Sequence, residues 1–199
     1  FGWTGLSLAY IFTLVVAFLI LFLLIAPKTP LYASIPISLF LIPLIAERTE
    51  IRPEGMSYLF VAIFLSILIR YSNNELKQKY IYILPILSVL WINIHIYAIL
   101  GPLMVGAFFI EALIRKDKPK TYTLLTLLGL CAGALLISPY GLEGALYPFK
   151  IFNNYGYLVA ENQSIPFLEK LHFTNPNFLW WKLSACLILC GAVLTLIYH

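Results

Sequence analysis

The chain has 199 residues, of which 61% are apolar and only 11% charged, against about 45–50% and about 25% in soluble domains. Thirteen Lys and Arg with nine Asp and Glu cannot cover a water-facing surface of this size, so the long Leu, Ile and Phe runs are read as membrane spans. An aromatic content of 16% excludes a disordered chain, and a net charge of +4 held in short loops, with no basic stripe, argues against a nucleic-acid partner.

The first run, Leu6–Ala26, supplies 21 residues before Pro27 and Pro30 close it, which matches the roughly 20 helical residues that a bilayer core requires. Leu31–Ala46 has 16 residues with Pro36 and Pro43 inside, and Gly55–Ile69 has 15, so both are short spans. Ile81–Ile114 is a mostly apolar run of 34 residues; as one helix it would be about 51 Å long, well past a bilayer core of about 30 Å. It must break. Pro85, Gly101 and Pro102 are breakers, and the most polar stretch between them holds Asn93 and His95, so a hairpin or re-entrant pass is expected to turn near Asn93 to Tyr97. Thr121–Ile137 is a further run, Ser138 to Asn177 a long polar segment, and Phe178–Tyr198 a last span with Lys182 placed to snorkel beside Trp180 and Trp181. The fold class that follows is all-α, a polytopic transmembrane helical bundle of about six or seven membrane segments.

No Ser-, Gly- or charge-rich linker divides residues 1–199, which are read as a single transmembrane domain, with 138–177 an external loop segment within it. The opening on Phe1, without an initiator Met or a signal-peptide pattern, marks it as a piece of a longer chain.

Charge assigns sides. Arg70 to Lys79 carries a net +2 and Arg115 to Lys120 a net +3, and the positive-inside tendency puts both loops on the cytoplasmic side. That requires an even number of crossings between them, which supports the hairpin independently of length. Working outward, the Lys28 turn is also cytoplasmic, whereas Glu47 to Glu54 and the segment Ser138 to Asn177 lie outside.

Three polar places then fall on the outer side: the Arg52 loop, the Asn93/His95 turn and the long segment with Glu161. Asn93 and His95 would be about 200° apart on a continuous helix but would share a face in an unwound turn; polar groups at membrane depth are candidates for function, with helix packing the alternative. Arg52, held extended by Pro53, suits a phosphate, or else it is a solvated partner of Glu47, Glu50 or Glu54. Glu161 can serve as a general base or a hydroxyl acceptor, with Asn162 and Gln163 beside it, although a loop Glu is ordinarily a solvated charge. Glu111 lies four residues before Arg115 and reads as a helix-surface pair. Cys131, Cys186 and Cys190 sit in apolar runs as packing residues, since two thiols on one face make only half a metal site. The sole aspartate is Asp117, in a basic loop, and no complete catalytic constellation is visible.

The order Arg52-Pro53, Leu90-Trp91-Ile-Asn93-Ile-His95, Ser138-Pro139-Tyr140-Gly141 and Glu161-Asn-Gln-Ser164 resembles that of bacterial multi-spanning membrane proteins placed near the GT-C glycosyltransferases. The chain departs from their pattern at Ile96, where Gly is usual, and at Ser138, where Asn is usual. The resemblance implies a GT-C-like fold in the bacterial inner membrane and transfer of a sugar from a polyprenyl-phosphate carrier to an acceptor on the outer face. It makes Arg52, Asn93, His95, Tyr140, Glu161 and Gln163 the substrate-binding candidates. It also implies an acidic base in an external loop upstream of Phe1, leaving the catalytic residue unassigned here and the cofactor open, a divalent metal in that loop being one option. The expected partners are the polyprenyl-phosphate-linked sugar and the lipid bilayer.

Two other readings compete. A transporter or flippase of a lipid-linked substrate would use broken helices too, but should show internal repeats, and none is found. A noncatalytic membrane subunit would use the long outer segment to bind a partner.

Overall fold

The computed structural model describes residues 2–46, 50–150 and 163–198, and among them the chain is all-helical. In chain order the helices are α1 (Gly2–Ile25), α2 (Leu31–Ala46), α3 (Glu54–Ser72), α4 (Ile83–Ile92), α5 (Leu100–Ile114), α6 (Lys118–Ala134), α7 (Gly141–Lys150), α8 (Ile165–Lys170) and α9 (Asn177–Tyr198). Short 3₁₀ turns occupy Ala26–Lys28, Gln78–Tyr80 and Ile96–Ile99. Three stretches are long and apolar enough to cross a membrane: Gly2–Lys28, Glu54–Ser72 and Ile96–Ile114. Shorter apolar helices cover Leu31–Leu44, Gln78–Ile92 and Asn177–Gly191. Three long apolar helices make the chain a candidate multi-pass membrane protein.

The chain divides into two compact units, the first drawn from Phe1–Lys28 and Ile51–Ile151, the second from Thr29–Glu50 and Phe152–His199. In the first, the expected break is present. α4 stops at Ile92, His95 is extended (φ −154°, ψ 145°), and the chain re-enters helix through the 3₁₀ turn into α5. Pro85 begins this hairpin and does not break it. As the third residue of α4 it lies among the first N–H groups, which have no intrahelical acceptor, so its missing donor costs little.

The two arms of the hairpin both pack on α3 and α6. Gly101 of α5 lies against Phe64 of α3 and Ser88 of α4 near the turn; a Cβ there would stand 3.1 Å from the Phe64 ring and 3.5 Å from Ser88 Oγ. At the far end Lys120 Nζ donates to the Ser72 carbonyl at 2.8 Å, and Lys28 pairs with Glu75 at 2.9 Å. The Lys28 turn, the Arg70–Lys79 loop and the Arg115–Lys120 loop therefore share one end of the unit, as the charge pattern requires. Asp117 caps α6 by accepting from Lys120 N at 3.2 Å. The cap starts this helix at Lys118, three residues before the apolar run.

α3 is the hub. Its Phe60, Phe64 and Leu68 are buried against Leu84, Trp91, Val105, Leu124 and Leu127. The Trp91 ring is fully buried, stacked on Phe60 at 5.2 Å and tilted on Phe64 at 5.6 Å. α1 reaches α3 at Gly55, where any Cβ would collide with the Tyr10 ring; lipid tails are as apolar as Leu, so small residues that allow such close approach supply the packing. Glu111 pairs with Arg115 at 2.8 Å, as its spacing predicts.

In the second unit α2 lies beside α9, and Phe40 meets Trp180 edge-on at 4.8 Å. The Lys182 ammonium lies 2.6 and 2.8 Å from the two carboxylate oxygens of Glu169. The packing role expected of the cysteines holds for Cys131, which is buried; Cys186 and Cys190 are exposed.

Candidate functional site

The alternation Trp91-Asn93-His95 ties the hairpin turn to three neighbours. Trp91 is the last buried residue of α4, and its indole nitrogen donates to Ser57 Oγ of α3 at 2.9 Å. Asn93 follows the helix as its cap; its side-chain nitrogen donates to the Val89 carbonyl at 2.8 Å and the Ile137 carbonyl at 2.9 Å. The backbone N–H groups of Ile94 and His95 both return to the Trp91 carbonyl, each at 2.9 Å. This closes the helix and swings His95 out in extended form, with its Nδ1 3.1 Å from Ser57 Oγ. The imidazole stands edge-on to the Tyr97 ring at 4.4 Å.

The opposite wall forms where α6 ends. Ser138-Pro139-Tyr140-Gly141 closes a turn through Gly141 N to the Ser138 carbonyl at 3.0 Å, and Gly141 takes φ +48°, a left-handed conformation that L side chains rarely adopt. α7 then begins, and Gly144 keeps its first turn narrow: a Cβ there would lie 3.0 Å from Tyr140 Cβ and 3.1 Å from Ser138 Oγ.

Between the walls is a cavity of 570 Å³ lined by residues 92–96 of the hairpin and by Ser138, Pro139, Tyr140, Glu143, Gly144 and Tyr147. Its polar groups are the Asn93 amide, the His95 imidazole, the Glu143 carboxylate and the hydroxyls of Ser138, Tyr140 and Tyr147. Ser138 Oγ is buried and has no hydrogen-bond partner among the described residues. His95 lies in the turn between two apolar helices, outside both. Partial burial holds its imidazole below the usual histidine range, while the Glu54 carboxylate at the start of α3 pulls the other way.

Of the residues singled out in the sequence, Asn93, His95 and Tyr140 line this cavity. Arg52 precedes α3 at the same end of the unit, with its carbonyl accepting from Gly55 N at 3.1 Å, but it is not a lining residue. Gln163 belongs to the second unit, and Glu161 lies outside the described residues. The carboxylate in the cavity is Glu143, which sequence reasoning passed over together with Tyr147 and Ser57. A signal was present, since Tyr140, Glu143 and Tyr147 recur at helical spacing just beyond a Pro-Tyr-Gly turn. Ser57 carried none, because its importance lies in a contact 38 positions away.

Comparison with protein-family models, with curated proteins and with solved structures gives no match to this chain.

The arrangement is chemically specific. Aromatic rings offer apolar faces, the imidazole and the Asn93 amide oxygen offer hydrogen bonds, and a carboxylate offers a proton acceptor. The apolar Ile92, Ile94 and Ile96 on the same wall suit a hydrocarbon chain.

Proposed function

We propose that this chain is the membrane core of a glycosyltransferase, GT-C-like in architecture, with six or seven membrane segments. It moves a sugar from a polyprenyl-phosphate carrier to an acceptor on the outer face of the bacterial inner membrane. The observation that carries this reading is the cavity in which the Asn93–His95 turn meets Tyr140, Glu143 and Tyr147, at the end of the first unit away from the basic loops. By the positive-inside tendency that end faces outward.

In this reading the isoprenoid lies along the isoleucines, and the sugar sits against Tyr140 and Tyr147. His95 donates to an oxygen of the sugar or the phosphate, and the Asn93 amide oxygen, whose nitrogen is already held by the Val89 and Ile137 carbonyls, accepts from a sugar hydroxyl. Glu143 takes the proton of the acceptor hydroxyl as that oxygen bonds to the anomeric carbon, and the bond from that carbon to the carrier phosphate breaks. The phosphate departs with the electron pair, and Arg52, at the same end, offers it a permanent charge.

The test is turnover by the full-length protein in proteoliposomes, using a panel of radiolabelled polyprenyl-monophosphate hexoses. His95→Ala, Arg52→Ala and Glu143→Gln are expected to reduce transfer at least tenfold, the scale on which a positioned acid–base group or charge contributes. Unchanged turnover in all three variants would overturn the assignment, as would label that crosses the bilayer still attached to its carrier.

A further inference from the structure

The bonds around His95 have one consistent direction. An indole nitrogen is a donor only, so at 2.9 Å Trp91 Nε1–H donates to Ser57 Oγ. Ser57 is 3% exposed, and His95 Nδ1, 3.1 Å away, is the acceptor placed to receive its hydroxyl proton. The backbone N–H of Tyr97 is likewise a donor only, and it points at the same Nδ1 from 3.4 Å. A ring nitrogen facing two donors holds a lone pair, and the proton of a neutral imidazole is then on the other nitrogen.

We propose that Ser57 is a positioning residue that keeps the His95 proton on Nε2, so that this imidazole is a neutral hydrogen-bond donor to an oxygen of whatever ligand the cavity takes. Protonating Nδ1 would oppose an N–H to the Tyr97 N–H and strand the Ser57 proton in a buried place, which a general base in this position could not afford. Among the described residues that line the cavity, the carboxylate of Glu143 is the one left to accept a proton. Trp91 takes part by filling one of the two acceptor positions of Ser57 Oγ, and among the described neighbours the imidazole nitrogen is the acceptor within reach of the hydroxyl proton. The inference stands on these bonds alone and holds for any oxygen-bearing ligand, so its failure would be distinct from a failure of the transfer reaction.

The experiment is nitrogen NMR of the full chain labelled with ¹⁵N-histidine in lipid nanodiscs, at mildly alkaline pH, with the His95 signals identified by their loss in His95→Gln. The expected result is an unprotonated Nδ1 and a protonated Nε2. Ser57→Ala should lower the ratio of Nε2–H to Nδ1–H tautomer about fivefold, the equivalent of one neutral hydrogen bond, and Ser57→Thr should restore it. A proton on Nδ1 in the unmodified protein would overturn the proposal without any variant, as would a Ser57→Ala spectrum with the original tautomer ratio.

Discussion

Asn93 and Ile137, 44 positions apart, are joined by a 2.9 Å hydrogen bond from the Asn93 amide to the Ile137 carbonyl, which fastens the hairpin turn to the end of α6. The same nitrogen closes α4 on Val89 at 2.8 Å. Asn93→Ala loses both bonds and is expected to cost about 1–2 kcal/mol. Asn93→Asp should cost more, because it sets a carboxylate oxygen against two carbonyls. Thermal unfolding in micelles checks the order; a more stable Asp variant would mean that this side chain does not face the Val89 and Ile137 carbonyls in the folded protein.

Gly55 of α3 packs directly against the Tyr10 ring of α1. Gly55→Ala should therefore destabilise the first unit by about 1–3 kcal/mol through overpacking. Tyr10→Ala, which vacates the space, should recover part of that loss in the double variant. A double-mutant cycle in denaturant titrations measures the coupling, and strictly additive effects would contradict the contact.

Because burial lowers the His95 value from its ordinary 6.5, the unfolded chain takes up a proton before the folded site does. The stability this histidine contributes is then complete above about pH 6.5 and is lost as the pH falls through its folded value. Melting temperatures across that range should show an acid limb that His95→Gln flattens. Glu54→Gln removes the opposing charge and should move the His95 midpoint lower. An acid limb unchanged in His95→Gln would assign it to other groups.

Sidedness has its own test. In a cysteine-free background, single cysteines at Asn74 and Lys116, in the two basic loops, should be labelled by an impermeant maleimide only from the cytoplasmic side. A cysteine at Tyr140, 76% exposed, should be labelled only from outside. Labelling of all three from one side would remove the outward-facing cavity.

Much of the frame is legible in one dimension. The apolar runs state where helices lie, since a backbone in lipid must satisfy its own hydrogen bonds. Leu31–Ala46 matches α2 residue for residue, and Phe178–Tyr198 misses only the first residue of α9. The 34-residue run announces its own break, and the charges of its flanking loops bring its two ends to one side before any contact is known.

What Asn93, His95 and Tyr140 share was visible only as polarity in an apolar setting. Their common cavity depends on a turn after α6 and a glycine that admits Ser138 and Tyr140 to the first turn of α7. Local sequence therefore determined the helices, the hairpin and the clustering of positive charge, because each follows from transfer energies and spacing along the chain. Tertiary structure alone decided that Ser57 meets the imidazole and that Glu143 supplies the carboxylate, because those partners are set by packing between helices far apart in the sequence.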